Sequence, residues 1–160
     1  LLEAGAECGI REFGFNALLS LRLEKGFGIW SAEFTQGYTP GMTGMDRWID
    51  WEKDQFIGQS AALKERDGNG PSQKLVMLEV KASDADASGY EPVWNNDSLV
   101  GFVTSGGYGH TVNKSLAMAL INSDLAREGQ NLKVHVVGVE KDAKVIQMSP
   151  YDPEGSVMRV

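Results

Sequence analysis

The chain has 160 residues, 42% of them apolar and 23% charged, with a formal net charge of −7. This is the composition of an ordinary globular domain long enough to bury a core. It excludes a duplex nucleic-acid binder, which needs a basic face to neutralise phosphates, and no apolar run approaches the roughly 18 residues of a membrane span.

The opening "LLEAGAECGI" reads as the end of a helix running out at Gly9. It lacks the basic flank of a secretory leader, and Glu3 and Glu7 interrupt it. The chain begins with Leu1 rather than Met, as a piece of something longer would. The single cysteine, Cys8, allows no internal disulfide and suits a reducing compartment. "FGFNALLSLRLEKGFG" carries both periods. Phe15, Leu18, Leu19 and Leu23 fit a helical stripe, while Leu19, Leu21 and Leu23 alternate as in a strand. Good helix formers, Asn16 as N-cap and Gly26 as stop predict a helix. "TQGYTPGMTG" predicts a loop. A short helix is expected from about Ser60 to Arg66, and "DGNGP" closes it as the boundary between a part spanning 1–70 and a part spanning 71–160.

The second part reads as β structure. "KLVMLEV" is a strand. "EPVW" and "LVGFVTS" flank the polar turn "NNDS", a hairpin signal. "KSLAMALI" alternates large and small side chains, and "NLKVHVVGVEKDAKVIQM" is a second hairpin with Leu132, Val134 and Val136 on one face. About six short strands predict a small antiparallel barrel or sandwich over residues 73 to 148. The fold class is therefore α+β.

Few motifs carry chemistry. "GFG", "GYTPGMTG" and "SGGYG" match neither a dinucleotide fingerprint nor a P-loop, so their glycines read as turn residues with positive φ. Asp84 and Asp86 lack the glutamate an EF-hand requires and read as a solvated loop. His110 lies near Ser105 and Asp97, but no GxSxG elbow is present. His135 sits on an alternating strand and is expected to face solvent. Cys8 and the two histidines make no metal constellation. Arg22 and Glu24, two apart on a helix, do not face each other. They are either two surface charges or inward groups that hold a ligand or a loop. The tryptophans Trp30, Trp48, Trp51 and Trp94 are core anchors by default. "DRWIDW" departs from that default: two tryptophans three apart, beside Arg47, could cradle a flat heterocycle with a carboxylate tail.

The order of these segments carries more. "ALLSLRLEKGFGIWSAEFTQGYTPGMTGM", "DQFIGQSAALKE", "GYEPVWNNDSLVGFVTSGGYGHTVNKSLAMALI" and "SPYDPEG" together resemble the glycine-cleavage T-protein (aminomethyltransferase) family. The resemblance is strongest to the folate-binding C-terminal portion of dimethylglycine and sarcosine dehydrogenases. It implies a helical remnant of a middle domain followed by a terminal β-barrel. It also implies a region that binds tetrahydrofolate and captures a one-carbon unit from a donor amine as 5,10-methylenetetrahydrofolate. In the dehydrogenases, an FAD domain of the same chain first oxidises the amine.

By the same resemblance, the family's catalytic aspartate lies in an N-terminal part with no counterpart here. No catalytic residue and no metal ligand is therefore assigned, the isolated chain is expected to be inactive, and it should pack against N-terminal domains of its parent chain. Arg22, Glu24 and Gly26 match the "LRLE.G" element bordering the folate site. Leu18 stands where T-proteins proper carry an arginine, which favours the dehydrogenase-like branch. Arg47 and Trp48 occupy the segment that faces folate, and Tyr108 lies in the "VTSGGYG" bend. The implied location is the cytoplasm, or the mitochondrial matrix in a eukaryote. Alternatives are a stand-alone T-protein fragment, a non-catalytic binding module of the same fold, and a demethylase acting on sulfur or oxygen methyl groups.

Overall fold

The computed structural model of the protein describes residues 1–159. Four short α-helices come first: α1 (Leu2–Gly5), α2 (Phe15–Glu24), α3 (Pro40–Thr43) and α4 (Gln59–Asp67). Six strands follow: β1 (Gln73–Val80), β2 (Pro92–Asn95), β3 (Ser98–Gly109), β4 (Lys114–Asn122), β5 (Asn131–Val136) and β6 (Val139–Ile146). Every strand pairing is antiparallel, and the strands close into a barrel in the order β1-β4-β3-β2-β5-β6. The expected α+β class and antiparallel barrel are both present.

The barrel has two apolar faces. Inside lie Val76, Leu78, Val93, Val103, Ala117, Ala119, Ile121, Val134 and Val145 among others. Outside, Leu75, Met77, Leu116, Met118 and Leu120 form a second cluster with Leu23 of α2. Strand β4 serves both, and residues 115–121 are all buried. This explains its alternation: alanines fit the narrow interior of a six-stranded barrel, while leucine and methionine fill the wider space under the helices.

Turn chemistry sets the hairpins. Val137 and Gly138 between β5 and β6 both take positive φ, 49° and 78°, as a tight two-residue hairpin requires. Between β2 and β3 the polar turn shortens to Asn96 and Asp97, because Asn95 already pairs with Ser98.

Several local expectations are corrected. "TQGYTPGMTG" is not all loop. Thr39 accepts the Met42 amide at 3.2 Å and Pro40 occupies the first turn, so α3 forms. The N-cap of α2 is Gly14, with Asn16 inside the helix. "SGGYG" is no bend. Gly106, Gly107 and Gly109 lie in β3 without positive φ. What excludes a side chain at Gly106 is proximity: a Cβ there would meet the Ala87 carbonyl oxygen at 2.2 Å. His135 is not a purely solvent-facing residue. Its ring stacks on Trp94 at 5.4 Å, and Nε2 lies 3.7 Å from Glu140. Trp30 and Trp48 are not core anchors, being 78% and 74% exposed.

Candidate functional site

Helix α2 ends as predicted at Gly26, whose φ is +66°. The Phe27 amide bonds the Arg22 carbonyl at 2.8 Å and the Gly26 amide the Leu23 carbonyl at 3.0 Å, a Schellman ending. Gly26 is also held by space, since a Cβ would meet the Met148 carbonyl oxygen at 2.2 Å. The predicted apolar stripe of α2 is divided. Of its four residues, Leu23 is buried against the barrel and Leu19 is half-buried, while Phe15 and Leu18 face outward, as does Leu21 outside the stripe.

Leu19, Arg22 and Leu23 share one face at helical spacing, so Arg22 is carried inward. It is 9% exposed and its Nη1 lies 3.4 Å from Glu33, which is fully buried. The same nitrogen donates to the Phe27 carbonyl at 3.3 Å and lies 3.6 Å from the Met118 sulfur. Nε has no acceptor. Desolvation lowers the Arg22 pKa from its ordinary value, against the raising effect of Glu33. Glu33 also accepts the Ile29 amide at 2.9 Å and the Ser105 hydroxyl at 2.5 Å.

Glu24, 1% exposed, turns the other way. One of its carboxylate oxygens accepts the Thr111 and Val112 amides at 2.5 and 3.1 Å, so it holds the β3–β4 turn. Arg22 and Glu24 are thus not surface charges, and both hold loops. Tyr108 is partly exposed. Its carbonyl accepts the Ser20 hydroxyl at 2.6 Å, and its ring meets His110 edge-on at 5.1 Å.

The loop after α2 forms one wall of a cleft of about 420 Å³. Gly26, Phe27, Gly28 and Phe34 line that wall. Thr43, Gly44, Met45 and Arg47 line the other, with Leu75 and Met148 below. Among the described residues, Arg47 is the only charged one lining it. Its guanidinium lies 5.5 Å from the Trp48 ring centroid, a cation–π distance. Trp51 does not join this face, because the Arg66 guanidinium covers its ring at 4.5 Å. A larger groove of about 590 Å³ on the barrel is lined by Glu79, Lys81, Asp142 and Lys144 with no aromatic residue, and it offers a flat ligand nothing to stack on.

The structure therefore sorts the five predicted residues into two places. Arg22, Glu24 and Tyr108 lie at the α2–β3–β4 junction, and Arg47 and Trp48 lie by the cleft. Asp84 pairs with Lys141 at 2.8 Å, Asp86 accepts the Ser115 hydroxyl, and no metal-holding cluster occurs among the described residues. Glu33 was invisible as a functional residue, and Ser105 was weighed only beside His110 and Asp97. The available signal was Arg22 on a buried helical face, which demands a carboxylate partner somewhere in the fold.

Comparison with known proteins joins this geometry to a family. Residues 73–152 match the glycine cleavage T-protein C-terminal barrel domain. The chain belongs to the glycine cleavage T-protein family. Residues 1–53 match a second family model, the GCVT N-terminal domain. T-protein relatives include the mitochondrial dimethylglycine dehydrogenase of Rattus norvegicus, 36% identical over 92% of this chain and 17% of that protein. The aminomethyltransferase of Desulfitobacterium hafniense is 32% identical over 97% of this chain and 42% of its own length. Among solved structures, the glycine cleavage system aminomethyltransferase T from Bartonella henselae superposes with a TM-score of 0.83 at 25% identity, over 93% of this chain and 42% of that one. The chain thus corresponds to a C-terminal region of the aminomethyltransferase family. It spans about a sixth of the dehydrogenases' length and two-fifths of the aminomethyltransferases'.

Proposed function

We propose that this chain is the folate-binding C-terminal region of an enzyme of the dimethylglycine or sarcosine dehydrogenase type. That enzyme would take the one-carbon unit of an N-methyl amine into 5,10-methylenetetrahydrofolate. The observation that carries this reading is the cleft, in which one guanidinium stands among uncharged, largely apolar lining residues beside an exposed indole. A folate presents a flat pterin and an anionic glutamate tail, and those two features need an aromatic or apolar wall and an arginine.

Tetrahydrofolate, when bound, supplies the amines that take up the carbon. Arg47 would pair with the tail carboxylate, Trp48 would stack against the ligand, and Phe27 and Phe34 would exclude water from that wall. Arg22 and Glu24 border the site by holding the loops on either side of α2, and Tyr108 is assigned to the face where α2 meets β3. Among the described residues no carboxylate lines the cleft, so the proton transfer at the reacting nitrogen is not assigned here. A flavin for the amine oxidation would likewise belong to other parts of such an enzyme. The parts 1–70 and 71–160 would act as the end of a middle domain and the terminal barrel. The outward Phe15, Leu18 and Leu21 of α2 would pack against a further domain. The mitochondrial relatives support a matrix location for a eukaryotic source.

The test is calorimetric titration of 5-formyltetrahydrofolate into the full-length enzyme and its Arg47→Ala and Trp48→Ala variants, with thermal midpoints measured alongside. A charged hydrogen bond or a stacked ring contributes about 1–3 kcal/mol, so each variant should bind about tenfold to a hundredfold more weakly. Affinity within twofold of wild type in both variants removes this segment from the site. Absence of folate binding by the wild-type enzyme favours the non-catalytic module.

A further inference from the structure

We propose that Glu33, which does not line the cleft, is the positioning residue for the cleft's loop wall. The inference rests on the reading of the cleft as a ligand site. The wall from Phe27 to Phe34 has no helix or strand of its own, and its internal backbone bonds are two turn bonds to the Ile29 carbonyl, from Ala32 and Glu33. Its shape is imposed by side chains. Glu33 draws in the Ile29 amide at 2.9 Å, and Arg22 holds the Phe27 carbonyl at 3.3 Å while facing Glu33 at 3.4 Å. Ser105 then ties this assembly to β3 through its 2.5 Å hydrogen bond to Glu33.

Both ends of the ligand-facing turn are thus referred to one strand of the barrel. The loop is closed tightly, since a Cβ at Gly28 would meet the Phe34 ring at 2.6 Å and the Glu33 Cβ at 2.8 Å. A fully buried carboxylate paired with a buried guanidinium contributes little net stability compared with an apolar pair of the same volume. What it does provide is a unique geometry: three donors converge on two oxygens, and only one loop conformation brings them there.

The test uses the full-length enzyme with two substitutions. Glu33→Gln keeps size and acceptor but removes the charge opposite Arg22. Ser105→Ala keeps the ion pair and cuts the tie to β3, and it serves if Glu33→Gln fails to fold. Hydrogen exchange is measured for the amides of 27–34 and of the barrel strands, and 5-formyltetrahydrofolate is titrated in parallel. In each variant, loop amides should exchange about tenfold faster with barrel amides unchanged, and folate affinity should fall about tenfold through the cost of reordering the wall. Unchanged loop exchange overturns the proposal. So does equal acceleration in the barrel, which marks a general structural role, and so does faster loop exchange with affinity within twofold of wild type. A wild-type enzyme that takes up no folate overturns the folate reading instead, and Glu33 is then judged on the exchange alone.

Discussion

The barrel and the segment before it handle the same problem, apolar surface in water, in opposite ways. Residues 73–146 close on themselves, and among the described residues nearly all of the buried apolar side chains belong to this part of the chain. Residues 1–70 contribute one, Leu23, and leave Phe13, Phe15, Leu18, Leu21, Phe27, Trp30 and Trp48 exposed. A closed sheet satisfies its backbone and buries one face without help. Short helices cannot, and depend on what they are laid against. The first segment is therefore held at a few points: to the barrel through Leu23 by packing, Arg22 with Glu33 and Ser105, and Glu24 at the β3–β4 turn, and to the C-terminal segment through Lys25 and Asp152.

Removing the most buried of these points should have the largest effect. Arg22→Ala leaves Glu33 buried and without its cation, and should cost about 3–5 kcal/mol in urea denaturation. A loss under about 1 kcal/mol would mean that the segment is not anchored through this pair. Next comes the apolar anchor. Leu23→Ala should cost about 2–5 kcal/mol, whereas Leu18→Ala on the outer face of the same helix should stay within about 0.5 kcal/mol. Equal effects would erase the distinction between the two faces of α2.

Within the barrel the contrast can be drawn between adjacent glycines. Gly106→Ala drives a methyl group into the Ala87 carbonyl and should cost about 1–3 kcal/mol. Gly107→Ala meets only the Leu23 Cδ2 at 3.9 Å and should be close to neutral. A reversed order would show that backbone conformation, not space, selects glycine there.

The smallest effect concerns the C-terminal tie. The Ser156 hydroxyl and amide, then the Lys25 ammonium, hold the Asp152 carboxyl below its ordinary value of 3.8. A depressed pKa contributes stability above the unfolded value that is lost as pH falls through the folded one. Asp152→Asn should therefore be less stable than wild type at pH 7, and the difference should shrink as pH falls below 3.8. A difference independent of pH would assign the tie to packing alone.

Local chemistry determined what could be read without coordinates. The alternation of "KLVMLEV" and "KSLAMALI", the turns at Asn96 and Gly138, and the stop at Gly26 each follow from interactions within a few residues. The strands, the barrel and the end of α2 were legible for that reason, and the ordered segments carried the family resemblance. Tertiary structure decided the rest. Nothing near Glu33 in the sequence marks it as the partner of Arg22 and Ser105, because its partners lie 11 and 72 residues away. The glycines of "SGGYG" look like turn residues until Ala87 is seen against Gly106. Trp30 reads as a core residue until the fold leaves it outside. A side chain's type sets what it can bond to. Which partner reaches it depends on how distant segments pack, and packing is a property of the closed chain rather than of any stretch of it.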